Sequence, residues 1–202
     1  MSSGRVALFG GTFDPPHLGH LIIAEAAREA LLLDRVEFLV AADPPHKQGV
    51  PRSRFDDRRA MVEAAIAGSP HFTVNGSEGS RPGPSFTVDT LQLRGVESPE
   101  EHLWFLMGAD SLVDFPTWRS PSSILTLARL AVAARPGSVI DLRVLEAKQP
   151  GVVMATDMVD TPLIDISSRD LRDRVRSNRS IAYRTTSSVA DYLHDRGLYL
   201  RP

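Results

Sequence analysis

Arg5-Val6-Ala7-Leu8-Phe9-Gly10-Gly11-Thr12-Phe13-Asp14-Pro15-Pro16-His17-Leu18-Gly19-His20 is the stretch on which the fold turns. Its apolar run, Val6 to Phe9, reads as a buried first strand. A periodic apolar segment, Leu18 to Leu33, follows and reads as a helix. The glycine pair, one carboxylate and two imidazoles therefore sit where a strand passes into a helix. Backbone N–H groups point outward at such a junction, and the helix start carries partial positive charge. His17 and His20, three apart, occupy neighbouring positions on a first helical turn. Together they make a site for a polyphosphate. No Gly-Lys-Ser/Thr follows the glycines, so this is not a Walker loop. Gly-x-Gly-x-x-Gly is absent, so it is not a dinucleotide fingerprint.

Moving outward, Val36 to Val40 reads as a second strand that closes a β-α-β unit. A proline-rich loop spans Asp43 to Pro51. Ser53 is placed to cap a helix from Arg54 to Ala67, which Gly68 ends. Phe72 to Val74 is a short strand, and Gly76 to Pro84 a loop. A helix begins at Ser85 or Thr87 and runs through Leu93. Leu103 to Met107 is a buried strand by its continuous apolar character, with Gly108-Ala109-Asp110 at its end. Leu130 to Ala134 is another, running into Arg135-Pro136-Gly137. Val152 to Met154 reads as a further short strand. Ser167 is a good N-cap for a basic helix to Arg176, and a last helix reaches about Arg196 before Gly197.

Alternating strands and helices predict an α/β fold: one Rossmann-like, doubly wound domain over residues 1–202, its mainly parallel sheet flanked by helices. Ligands of such sheets bind beyond the strand C-termini, where strand order reverses. The Gly10 turn, the Asp43 loop, Gly108-Ala109-Asp110 and Arg135 all fall at such ends.

The chain has 202 residues, enough for one domain with a real core, and 42% hydrophobic and 24% charged residues are ordinary for a globular protein. A net charge of -2 argues against broad nucleic-acid binding. The absence of cysteine excludes disulfides and thiolate chemistry. Neither a signal-peptide profile nor an apolar run long enough to span a membrane is visible, which predicts a cytoplasmic protein.

The run from Gly10 to His20 resembles the signature of the nucleotidyltransferase superfamily with the His-x-Gly-His motif. Ile166-Ser167-Ser168-Arg169-Asp170-Leu171-Arg172 resembles that superfamily's Ile-Ser-Ser-Thr-x-Ile-Arg motif, with Arg169 in place of threonine. Pro44-Pro45-His46-Lys47, Pro84-Ser85-Phe86-Thr87-Val88-Asp89-Thr90-Leu91, Gly108-Ala109-Asp110-Ser111-Leu112, Phe115-Pro116-Thr117-Trp118 and Arg135-Pro136-Gly137 look like bacterial nicotinate-nucleotide adenylyltransferases. Thr186 stands where that family usually has proline, and Phe86 where it usually has tyrosine. Nicotinamide mononucleotide and phosphopantetheine adenylyltransferases, or a silent nucleotide sensor, are the rival readings. Phosphopantetheine enzymes usually lack the Phe115 to Trp118 segment.

The resemblance implies a fold, a reaction and a set of roles. The reaction joins ATP and nicotinate mononucleotide, with Mg²⁺ carried by ATP and no metal site of the protein's own. His17 and His20 hold the reacting phosphates, His20 nearest the α-phosphate. Lys47 grips the mononucleotide phosphate. Gly10, Gly11, Thr12, Phe13, Gly108 and Arg135 belong to the ATP site. Ser167, Ser168 and Arg172 hold the outer ATP phosphates, and Asp110 the ribose hydroxyls. Trp118 stacks on the pyridine ring, whose carboxylate meets the helix start at Ser85, Phe86 and Thr87. Asp14 is read as a turn-fixing acceptor, and Trp104 as packing. The expected assembly is a monomer or small homo-oligomer.

Overall fold

The computed structural model describes residues 4–44, 49, 51–134, 140–162 and 164–200. The first strand, β1 (Arg5–Gly11), passes into helix α1 (Leu18–Ala30), and β2 (Arg35–Val40) closes the unit. Helix α2 (Phe55–Ile66) and strand β3 (Phe72–Asn75) complete the first half. The second half holds α3 (Thr87–Glu97), β4 (His102–Gly108), α4 (Ala109–Asp114), α5 (Pro121–Leu127), β5 (Arg129–Ala134), α6 (Leu142–Lys148) and β6 (Thr156–Asp160). Helices α7 (Ser168–Arg176) and α8 (Ser187–Asp195) end the chain. No helix among the described residues is long and apolar enough to cross a membrane.

The six strands form one sheet in the order β3-β2-β1-β4-β5-β6, and every pairing is parallel. Strand β1 is central, paired with β2 on one side and β4 on the other. The chain leaves in opposite directions on either side of it, so strand order reverses between β1 and β4. A crevice opens at such a reversal, beyond the strand C-termini. The expected doubly wound architecture is the one observed.

Alternate side chains of each strand feed opposite faces. Ala7, Phe9, Phe38 and Val40 join Ala24 and Ala27 of α1, Met61 and Val62 of α2, and Val189 and Leu193 of α8 in one core. Val6, Leu8, Leu39, Phe105 and Leu130 join Val88 and Leu91 of α3, Ile124 of α5 and Leu145 of α6 in the other.

Three expectations need correction. Helix α1 stops at Ala30 rather than Leu33. Leu32 turns left-handed at φ 50°, and Leu33 tucks into the core after the turn, which kept the apolar spacing going. Ser53 is not the cap of α2: Arg54 takes that position without a side-chain bond, while the Ser53 backbone serves Asp14 and Arg58. Val152 to Met154 is a turn, not a strand. Val152 is fully buried, and the pairing falls on Thr156–Asp160 instead. By contrast, Ser167 does cap α7, accepting from the Asp170 N–H. Thr186 caps α8 by accepting from the Val189 N–H, so it does by hydrogen bonding the start-fixing job that proline does by its ring.

Candidate active site

The site is built around the β1–α1 junction. A Cβ on Gly10 would lie 2.6 Å from the Phe105 ring, and one on Gly11 2.6 Å from the Phe13 ring. Glycine is therefore required where the strand end passes between two aromatic rings. Phe13 is left-handed at φ 49°, an unusual state for a bulky residue. Burial holds it there. Its ring packs on Phe9 and Phe38 and edge-on to His20, with centroids 5.0 Å apart. The Phe13 side chain is thus a floor under His20, and only its backbone is left for a nucleotide.

Next come three carbonyls in a row, each bound by the C-terminal part of the chain. Arg172 Nη1 donates to Asp14 O at 2.6 Å, Ser168 Oγ to Pro15 O at 2.7 Å and Thr185 Oγ1 to Pro16 O at 2.9 Å. Leu18 N–H donates to Arg184 O at 2.9 Å. The Asp14 carboxylate is buried and accepts from Tyr199 Oη and from Ser53 N–H. Asp14 does hold the turn, through partners far along the chain. Below it, Arg58 is 1% exposed and donates to Ser53 O, Thr12 O and Ala41 O. Burial draws its pKa below the ordinary arginine value, against the pull of Asp14. Arg58 ties the ends of β1 and β2 together.

His17 is the N-cap residue of α1 and is nearly buried. Its N–H donates to His20 Nδ1 at 3.1 Å. That bond makes Nδ1 an acceptor, so in the neutral ring the proton lies on Nε2. The two imidazoles stack, with centroids 3.7 Å apart and planes at 23°. The two imidazoles and the start of α1 thus lie together beside the glycine turn.

A cleft of about 660 Å³ opens from Gly10, Gly11 and Thr12. Ser85, Phe86, Thr87 and Trp118 line it too. Trp118 is half-buried and packs edge-on to Phe105 at 5.7 Å. Phe86 is the N-cap residue of α3, so that helix starts inside the cleft. Ser85 Oγ accepts from Asp43 N–H, and Ser85 N–H donates to Asp43 O, which pins this loop to the end of β2. Glu78, unremarked in the sequence, also lines the cleft.

The remaining residues fall into two groups. Gly108 and Asp110 are exposed at the C-terminal end of β4, and a Cβ on Gly108 would meet nothing within 4 Å. They stand across the strand reversal from the histidines. Lys47 and Arg135 lie outside the described residues. Among those described, no group of three or more His, Asp or Glu side chains is arranged to hold a metal ion. His71, His102 and His194 are exposed, and Trp104 is buried with Nε1 donating to Asp157.

Sequence reasoning missed Arg58, Thr185, the bond of Tyr199 to Asp14, and Glu78 and Arg119 in the cleft lining. Nothing local marks them. Each acts through a partner many positions away or through its place on the cleft wall.

Comparisons with known proteins give the family. The family model of cytidylyltransferase-like proteins matches residues 8–174. A protein of Thermomicrobium roseum, described as a probable nicotinate-nucleotide adenylyltransferase, is 46% identical over 96% of this chain and 91% of its own. Proteins of the same description from a Roseiflexus species and Thermus thermophilus are 45% and 43% identical, covering 98% and 96% of this chain and 100% and 99% of theirs. The solved Plasmodium falciparum nicotinic acid mononucleotide adenylyltransferase complexed with NaAD superposes with a TM-score of 0.80 at 18% identity over 97% of both chains, which shows a shared fold. The chain belongs to the cytidylyltransferase-like family, and within it to the nicotinate-nucleotide adenylyltransferases.

Proposed function

We propose that the protein joins nicotinate mononucleotide to ATP, forming nicotinate adenine dinucleotide and releasing pyrophosphate. One observation carries this reading. Trp118, the Phe86–Thr87 helix start and the Gly10–Thr12 turn line one cleft. An aromatic acceptor with an acidic group suits the first two, and its phosphate the third. The acceptor 5′-phosphate has a second pKa near ~6, so it is mostly dianionic at neutral pH. It attacks the α-phosphorus of ATP without a general base. A new P–O bond forms, the α–β bridge breaks, and the electron pair leaves with pyrophosphate. The protein's work is alignment and charge neutralisation.

The roles are those the family resemblance implies. His20 Nε2–H donates to the α-phosphate as charge builds, and stacked His17 supports it. Arg172 and the Ser167–Ser168 helix start receive the outer phosphates. Lys47 grips the acceptor phosphate, and Arg135 and Asp110 serve the ATP side. Mg²⁺ would come with ATP, held by its phosphates, and would shield the phosphate charge. The same reading places the enzyme among its nucleotides in the cytoplasm.

The test is pyrophosphate release from ATP with nicotinate mononucleotide, nicotinamide mononucleotide and phosphopantetheine in turn. The acid gains charge-assisted hydrogen bonds, whereas the amide presents NH₂ to donors. The expected preference is about a hundred-fold or more in kcat/KM. Equal use of acid and amide, or no turnover with either, overturns the reading.

A further inference from the structure

Arg119 and Glu78 are the charged residues among those described along the cleft. Glu78 is 4% exposed, and its oxygens are engaged. Thr90 Oγ1 donates at 3.0 Å, Ala42 N–H at 3.3 Å, and Arg81 Nη2 lies at 3.7 Å. Its charge is spent inside the wall. Arg119 differs. Its side chain is 55% exposed, and its ion pair with Asp89 is long at 3.5 Å. Exposed pairs of that kind hold a guanidinium weakly.

The guanidinium carbon stands 4.5 Å from the centroid of the Phe86 ring. Stacking on an aromatic face keeps such a cation in one place while its N–H edge remains open to a ligand. Phe86 is the N-cap residue of α3, so the cation sits over the residue from which the helix N–H groups emerge. Trp118 precedes Arg119 in the chain and lines the same cleft. Ring platform, helix start and cation thus meet in one cleft wall.

Resting on the function proposed above, we infer that Arg119 is a specificity-determining residue, selecting an acidic aromatic acceptor over its neutral amide by charge. Helix N–H groups favour the carboxylate but still hydrogen-bond to a carboxamide oxygen. A fixed cation adds attraction that the amide does not feel.

The experiment measures kcat/KM for both mononucleotides with the parent, Arg119→Ala and Arg119→Lys proteins. KM for ATP and the melting temperature are followed alongside. Arg119→Ala is expected to cut the acid-over-amide ratio about tenfold with ATP KM unchanged, and Arg119→Lys to restore part of it. Added salt should weaken acid binding in the parent more than in Arg119→Ala. An unchanged ratio, or an equal fall for both acceptors, overturns the inference. The parent protein is assayed first. If it turns over neither acceptor, the proposed function fails, a result distinct from a parent that prefers the acid and a variant that keeps the preference.

Discussion

Arg172 Nη1 donates to the Asp14 carbonyl at 2.6 Å, across 158 positions of sequence. The guanidinium nominated for phosphate binding is therefore also a strut of the phosphate loop. Pro15 and Pro16 lack an N–H but keep carbonyl acceptors, which here take side-chain donors as partners. Ser168 and Thr185 supply them. The C-terminal motif thus shapes the N-terminal one as well as standing beside it.

Removing that strut should act on fold and reaction together. Arg172→Ala loses a charged hydrogen bond worth about 1.5–3 kcal/mol, and a phosphate donor whose loss typically costs about 10²–10³ in kcat. Arg172→Lys keeps one donor but not the planar fork. It should recover more melting temperature than kcat/KM for ATP. Thermal melts and steady-state kinetics on both variants check this, and full activity in Arg172→Ala contradicts it.

Tyr199 offers a pH signature. Burial, then the neighbouring Asp14 carboxylate, push its phenol pKa far above the ordinary value of 10.0. An acid whose folded pKa is raised gives stability that is complete below its unfolded pKa and drains away as pH rises past it. The parent should lose stability above about pH 10, by up to ~1.4 kcal/mol per pH unit from this group. Tyr199→Phe should lose about 1–3 kcal/mol at neutral pH, since the buried Asp14 oxygen goes unserved, and should show a shallower alkaline slope. Denaturant melts between pH 7 and 11 decide it. Parallel slopes would remove the phenol from the network.

The fold was legible wherever burial leaves an apolar run. Strands β1, β4 and β5 have such runs because both faces are covered. Strand β6 was misplaced for the converse reason. In Thr156-Asp157-Met158-Val159-Asp160 only Val159 is buried, so pairing at the sheet edge left no apolar mark. The histidines, glycines and Ser167 were legible because turn and cap chemistry is local. The bonds of Arg58, Thr185 and Tyr199 were not. They span 46, 169 and 185 positions, and no short window contains both ends of such a bond.

Trp118 should separate acceptor from donor. It lines the cleft, and its ring is held by Phe105 and Phe115 at 5.7 and 5.6 Å. Trp118→Ala removes a stacking platform worth about 1–3 kcal/mol, if base–aromatic stacking is the guide. KM for the mononucleotide should rise roughly tenfold or more, with ATP KM little changed. Trp118→Phe should lie between. Kinetics with each substrate varied in turn measure this. An equal rise in both KM values, or loss of the cooperative melt, would make Trp118 a packing residue only.

His20 carries the sharpest prediction, because its two ring nitrogens do different jobs. Nδ1 accepts the His17 N–H at the start of α1, a capping bond worth about 1 kcal/mol. Nε2 is the atom to which the proposed reaction gives the phosphate contact. His20→Ala should lose both, with a small drop in stability and a fall of about 10²–10³ in kcat. His20→Asn separates them. Its amide oxygen lies near the place of Nδ1 and can take the His17 N–H, but nothing reaches the place of Nε2. Its melting temperature should return toward the parent value while kcat stays low. Since the attacking phosphate is already ionised, neither variant should be rescued by raising the pH. Melts, kcat and a pH profile on the three proteins test every part. A near-normal kcat in His20→Asn would confine this imidazole to holding the helix start.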